Sequence, residues 1–179
     1  MDHRARQGER GSRRRRLNLT LDPLKEAHAE ELFDLLQDTR LYTYIPIDPP
    51  VSLDVLAKRY SMLETRQSPD GTEQWLNWVL RDSENMPLGL LEATVTPDRS
   101  AFVAYTIFTP HWGKGYAKRG LTQMMEILDA DKAWALVDTR NAASIRVLEG
   151  TGFQQTGHIK DADHFKGSTS DEFKFEKPL

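Results

Sequence analysis

Two glycines, Gly113 and Gly115, flank Lys114 where an apolar, β-rich run meets an amphipathic helical pattern, within AFVAYTIFTPHWGKGYAKRGLTQMMEIL, residues 101–128. At such a strand-to-helix junction the first backbone N–H groups have no intrahelical partner, and the helix dipole favours a negative charge beside them. The chemistry this supports is capture of a phosphorylated cofactor. The glycines remove Cβ atoms where a pyrophosphate would land, the N–H groups from Gly113 through Tyr116 to Ala117 donate, and Lys114 supplies positive charge. The same glycines also suit an ordinary tight turn, so the surrounding chain must decide between the two roles. A second polar interruption is Glu92 in the apolar run LGLLEATV, a carboxylate that faces either a site or solvent. The chain holds no cysteine, which removes thiolate chemistry and disulfides, and its five histidines lack metal-site spacing, so no metal is expected.

The elements that must position these residues follow from periodicity. Leu17, Leu19 and Leu21 alternate with polar residues as a half-buried strand ended by Pro23. A helix is predicted over His28–Gln37, carrying Leu32, Phe33, Leu35 and Leu36. YTYIPIDPP, residues 42–50, is too proline-rich to extend either element, and its aromatic content makes Tyr44 a candidate for a substrate-side loop, with packing against the first helix as the rival role. Ser52 can cap a second helix with Leu56, Tyr60 and Leu63 on one face. Three β-type runs, Trp75–Arg81, Leu88–Thr96 and Ala101–Phe108, are separated by short turn signals and predict an antiparallel meander. After the glycine turn, Ala117, Leu121, Met124, Met125 and Leu128 define a helix with one buried stripe. Ala133–Val137 then returns as a strand parallel to the one ending at Phe108. Asn141 can cap a last helix carrying Ile145 and Leu148, and Phe153–Lys160 with Glu172–Lys177 predict a closing hairpin around ADHFKGSTSD.

Composition sets the class. A length of 179 residues suffices for one cored domain, here read as residues 17–179, and no run approaches the roughly 18 apolar residues of a membrane span. With no apolar signal-peptide core near Met1 either, a cytoplasmic protein without membrane contact is the expectation. Residues 1–16 hold seven arginines against Asp2 and Glu9, a net +5, so with the whole chain at −3 the remainder carries −8. An acidic body suits cationic acceptors such as amines. Residues 1–16 read as a disordered basic arm, and a solvated tail is favoured there over a nucleic-acid contact.

Three phosphate-binding patterns compete for the turn. The P-loop pattern G-x-x-x-x-G-K-[ST] is absent. A dinucleotide fingerprint would need a small residue where Lys118 stands, and although Asp138 ends the next strand with Arg140 beside it, a meander precedes the turn and too little chain follows for six parallel strands. The third pattern fits the whole chain. WGKGYA, residues 112–117, followed by DTRNAASIRVLEGTGF, residues 138–153, resembles the GNAT superfamily of N-acetyltransferases, and within it the branch related to Rim-type ribosomal-protein N-terminal acetyltransferases.

The resemblance spans residues 17–179 and implies an α/β (α+β) GNAT fold: a mixed, mostly antiparallel sheet of roughly seven strands flanked by helices, splayed into a V that receives acetyl-CoA. It implies that the pantetheine pairs with backbone at Ile107 and Phe108 and that the pyrophosphate lies on Gly113–Ala117. Gly115 and Ala117 match the small positions of the family's [QR]-x-x-G-x-[GA] motif, while Trp112 takes the Gln/Arg position. Asn141 matches the asparagine that bonds the cofactor arm, and Ser144 the hydroxyl residue near the thioester sulfur. Leu148 stands where many members carry an acidic tyrosine, so Ser144 becomes the candidate for protonating the leaving thiolate. The implied reaction is direct acetyl transfer to a primary amine, either a protein N-terminus or a small molecule. The incoming amine must shed a proton, which makes Glu92 the candidate base, with Asp171 and Glu172 in reserve. The stretch Asp163–Gly167, with His164 and Phe165, is expected to border the acceptor pocket. A CoA-binding sensor on the same fold, contacting RNA or a ribosome through the arginine arm, is the alternative outside enzymes. Both a monomer and a homodimer are compatible with the sequence.

Overall fold

The computed structural model describes residues 18–179; the basic segment 1–16 and Leu17 lie outside the described residues. Seven strands, β1 (Thr20–Pro23), β2 (Gln74–Arg81), β3 (Pro87–Val95), β4 (Ser100–Ile107), β5 (Lys132–Asp138), β6 (Gln154–Phe165) and β7 (Ser168–Pro178), form one sheet. Their order is β1-β2-β3-β4-β5-β7-β6. The helices are α1 (His28–Leu32), α2 (Leu53–Glu64), α3 (Tyr116–Ile127) and α4 (Ala142–Gly150).

β2 to β4 are antiparallel neighbours, the arrangement short turns enforce, β1 pairs antiparallel with β2 after the excursion through α1 and α2, and β4 and β5 are joined through α3 and run parallel. The two faces of the sheet carry separate cores. Leu80, Leu91, Val103 and Ile107 pack against Leu121 and Met124 of α3 and Leu148 of α4. On the other face Val79, Leu90 and Phe108 pack against Leu32 of α1 and Leu56 and Tyr60 of α2. Alternation along each strand therefore decides which helices a side chain meets. Gly89 sits where β3 crosses the end of β4. A Cβ there would lie 2.2 Å from the Thr106 carbonyl oxygen, so only glycine admits this approach.

Two expectations are corrected. The helix predicted over residues 28–37 stops at Leu32 and continues as 3₁₀ turns at Leu35–Gln37 and Thr39–Tyr42. Asp38, extended at φ −69°, ψ 105°, separates the two 3₁₀ turns, its side chain accepting from Arg40 N–H and Thr109 Oγ1. The stretch between the two predicted hairpin strands, residues 161–171, is itself mostly strand. β6 runs to Phe165 and β7 starts at Ser168, joined by Lys166 and Gly167, both at positive φ (50° and 76°), as a two-residue hairpin turn requires. β6 is a largely exposed edge strand, so it lacks the apolar alternation that marks strands in a sequence.

Candidate active site

β4 and β5 are paired at Ser100, Ala101 and Phe102, opposite Lys132, Ala133 and Trp134. Beyond that point the strands diverge and a gap opens in the middle of the sheet. Phe108 N–H donates to Leu88 O at 2.9 Å, so by alternation the backbone of Tyr105 and Ile107 faces away from β3 and into the gap. The Ile107 carbonyl is already engaged there, accepting from Trp112 Nε1–H at 2.6 Å, and the Phe108 carbonyl accepts from His111 N–H at 2.9 Å. The backbone edge expected at Ile107 and Phe108 thus reduces to the Ile107 N–H, since both groups of Phe108 are spent inside the protein.

The glycine turn leads from this gap into α3. Gly113 and Gly115 lie at φ 71° and 76°, and a Cβ at either would meet nothing within 4 Å, so conformation rather than crowding selects glycine. The first helical N–H returned to the chain is that of Arg119, donated to Gly115 O at 3.2 Å, which leaves the earlier N–H groups of the turn aimed outward. Tyr116 and Ala117 are half-buried at the start of the helix. Lys114 bends back, donating to Pro110 O at 2.8 Å, and Trp112 is 50% exposed beside it.

Across the gap, Asn141 caps α4, its Oδ1 accepting from Ser144 N–H at 3.1 Å. That bond uses the side-chain oxygen and leaves the amide NH₂ for other work. The cap sets Ser144 in the first turn, where its Oγ lies 2.7 Å from the Tyr105 hydroxyl. The Tyr105 hydroxyl also lies within donating distance of Ser144 O, at 3.1 Å, so its one proton can serve either Ser144 oxygen. Burial pushes the phenol up to about 12, with the Ser144 contact opposing, so Tyr105 stays protonated at neutral pH. Tyr105 is a functional candidate that periodicity hides: in AFVAYTIF it reads as one more core aromatic, and only the meeting with Ser144 singles it out.

On the opposite face of β4, Glu92 lines a cavity of about 180 Å³ between the sheet and α2. Of the two roles left open for this carboxylate, the structure places it toward a cavity. Thr106 of β4 is in the same wall, as are Tyr42, Tyr60, Asn77, Arg59 and Asp48. Burial raises the Glu92 carboxyl above its ordinary range, against the pull of Arg59. Tyr60 is 3% exposed and its hydroxyl has no hydrogen-bond partner among the described residues.

The remaining predicted residues gather at the β6–β7 hairpin, outside the cavity wall. Asp171 accepts from Asp161 N–H and lies 3.0 Å from His158 Nε2, two contacts that hold its carboxyl low. Glu172 stands opposite Asp138 of β5, and burial, with the charges of Asp163 and Asp138, raises it. Asp138 itself is held low by a two-point contact with Arg140, at 2.9 and 2.6 Å. His164 reaches Thr169 Oγ1 at 3.3 Å, and Phe165 lies beneath the Arg140 guanidinium. Tyr44 is exposed within electrostatic reach of Arg140. Lys166 Nζ donates to the carbonyl of Tyr42, so the hairpin tip braces a residue of the cavity wall from outside.

Residues 18–154 match the family model described as an acetyltransferase (GNAT) domain. The chain belongs to the GNAT acetyltransferase family. As a GNAT protein it is an acetyl-CoA-dependent N-acetyltransferase. Among curated relatives, an uncharacterized N-acetyltransferase p20 of Bacillus licheniformis is 22% identical over 163 residues, covering 88% of this chain and 90% of that protein. Among solved structures, a spermidine N-acetyltransferase from Vibrio cholerae in complex with CoA and spermine superposes with a TM-score of 0.77 at 23% identity, covering 89% of this chain and 95% of that one. An acetyltransferase from Salmonella typhimurium that modifies the N-terminal serine of 50S ribosomal protein L7/L12 gives 0.75 at 19% identity, covering 90% and 95%. These identities speak for the shared GNAT fold. Among the described residues, no helix is long and apolar enough to cross a membrane.

Proposed function

We propose that this acetyltransferase brings its amine and its thioester together across β4, the amine entering from the α2 face and the sulfur departing toward α4. The observation that supports this is the alternation of one strand: Thr106 faces the cavity that holds Glu92, while its neighbour Tyr105 meets Ser144 on the other side. The reading keeps the Rim-type assignment, since Ser144 occupies the hydroxyl position of that branch. Acetyl-CoA supplies the acetyl group as a thioester.

The chain's residues divide the proton chemistry. Glu92, kept partly out of water, accepts the proton that the attacking amine must lose. A raised carboxyl is the better base for this task, because its proton affinity lies closer to the working pH. Ser144 Oγ–H, in contact with the Tyr105 phenol, donates toward the sulfur as negative charge develops there. Trp112 fixes the carbonyl at the end of β4, and the turn from Gly113 to Ala117 with Asn141 orients the cosubstrate. Glu92→Gln tests the division. It should lower the transfer rate about a hundredfold while acetyl-CoA affinity stays within about twofold, and an unaltered rate would remove Glu92 from the chemistry.

A further inference from the structure

The cavity at Glu92 carries information about the acceptor beyond its amine. Its wall is dominated by aliphatic side chains, among them Leu36, Leu41, Ile45, Leu56, Leu63 and Leu90. Its volume is about 180 Å³. An apolar cavity of about 150 Å³ is enough to hold benzene. Three charged side chains line it, Asp48, Arg59 and Glu92, and of these Asp48 and Arg59 are exposed while Glu92 is half-buried. Arg59 lies within electrostatic reach of Glu92, Tyr60 and Tyr42, so its charge is felt throughout the space.

A second observation points to a ligand rather than to an idle void. Tyr60 lines the cavity, and its Oη is buried with no partner among the described residues. Buried hydroxyls are normally hydrogen-bonded, so this one requires a partner that enters. An amine nitrogen held by Glu92 and donating to Tyr60 Oη would satisfy both groups, and would leave its substituent against the aliphatic wall.

Resting on the reading that the Glu92 cavity is the acceptor site, we infer that the acceptor is a primary amine carried on one compact apolar group, of phenyl or branched-alkyl size. A second ammonium held inside the cavity would be desolvated against leucine and isoleucine, whereas the exposed Asp48 and Arg59 carry opposite charges that offset one another. The acidic surplus of the body, which by itself suits cations, is not concentrated in this cavity. The group could be the substituent of a small amine or the first side chain of a peptide.

The test follows free-thiol release from acetyl-CoA by the full chain with 2-phenylethylamine, spermidine, and peptides beginning with phenylalanine or serine. Expected is a kcat/KM for 2-phenylethylamine or the phenylalanine peptide at least about tenfold above those for spermidine and the serine peptide, a ratio in the range apolar pockets deliver. Which of the two apolar acceptors leads identifies the source. Spermidine or the serine peptide matching them overturns the inference. Val55→Trp fills the cavity from a residue that is already 52% exposed, so the fold tolerates it. It should raise the KM for 2-phenylethylamine about tenfold and leave the thermal shift given by acetyl-CoA intact; an unchanged KM counts against the inference. If no amine releases thiol, the transfer reading fails separately, and titration of 2-phenylethylamine against Trp78 fluorescence decides the cavity. Saturable quenching lost in Val55→Trp supports the inference, and its absence in the parent chain overturns it.

Discussion

The Tyr105 hydroxyl of β4 and Ser144 Oγ of α4 lie 2.7 Å apart, joining the two elements across the gap in the sheet. Neither hydroxyl ionises near neutral pH, so each acts as a neutral donor, and the pair can point one proton toward sulfur while sharing the other. Ser144→Ala should lower kcat about ten- to a hundredfold, and Tyr105→Phe by a smaller factor. Because the two act as a unit, the double variant should be no worse than Ser144→Ala within about twofold. Additive losses in this cycle would show that the hydroxyls work independently.

Glu92 makes a pH prediction with a definite sign. Its folded carboxyl is raised above the unfolded value, so the folded state holds the proton more tightly. Stability assigned to this group is complete below the unfolded pKa and is lost as pH rises through the folded one. Glu92→Gln, which mimics the protonated form, should therefore melt increasingly above the parent chain as the pH rises above 4.5, while removing the acidic limb of the rate profile. A melting difference independent of pH would place the carboxylate in water.

Gly115 tests the turn. Its left-handed backbone is strained for any other residue by about 1–2 kcal/mol, and no neighbour stands in the way of a Cβ. In Gly115→Ala this strain should appear as acetyl-CoA affinity reduced up to about tenfold, as lower stability of the free protein, or as both. Calorimetry with acetyl-CoA and a melting curve read the two parts, and no change in either contradicts the observed geometry.

Asn141 separates capping from cofactor contact. Asn141→Ala should destabilise the protein by about 1 kcal/mol through loss of the Oδ1 bond to Ser144 N–H. Asn141→Ser restores a capping oxygen but no amide NH₂, so it should recover the melting temperature without recovering acetyl-CoA affinity. Full recovery of affinity would reduce Asn141 to a helix cap.

Much of the frame was legible in the sequence because local rules agree with the global fold. The meander, the parallel return at β5, the Ser52 and Asn141 caps and the positive-φ glycines each follow from spacing and residue type. Two parts of the site were hidden for physical reasons. Tyr105 is apolar by pattern and polar only at its tip, and its partner lies 39 residues away. The cavity is formed by α2, β3 and the segment around Tyr42 folding over Glu92, a tertiary event that no periodicity encodes. The edge strand β6 was missed in part because one whole side of it faces water.

The measurement closest to the centre of this account is the time course of CoA thiol release from acetyl-CoA with and without a primary amine, with the amine product identified by mass. Release that depends on the amine, yields one acetylated amine per thiol and is suppressed in both Glu92→Gln and Ser144→Ala is the predicted result. Thiol release independent of amine, or transfer that survives in both variants, would contradict it.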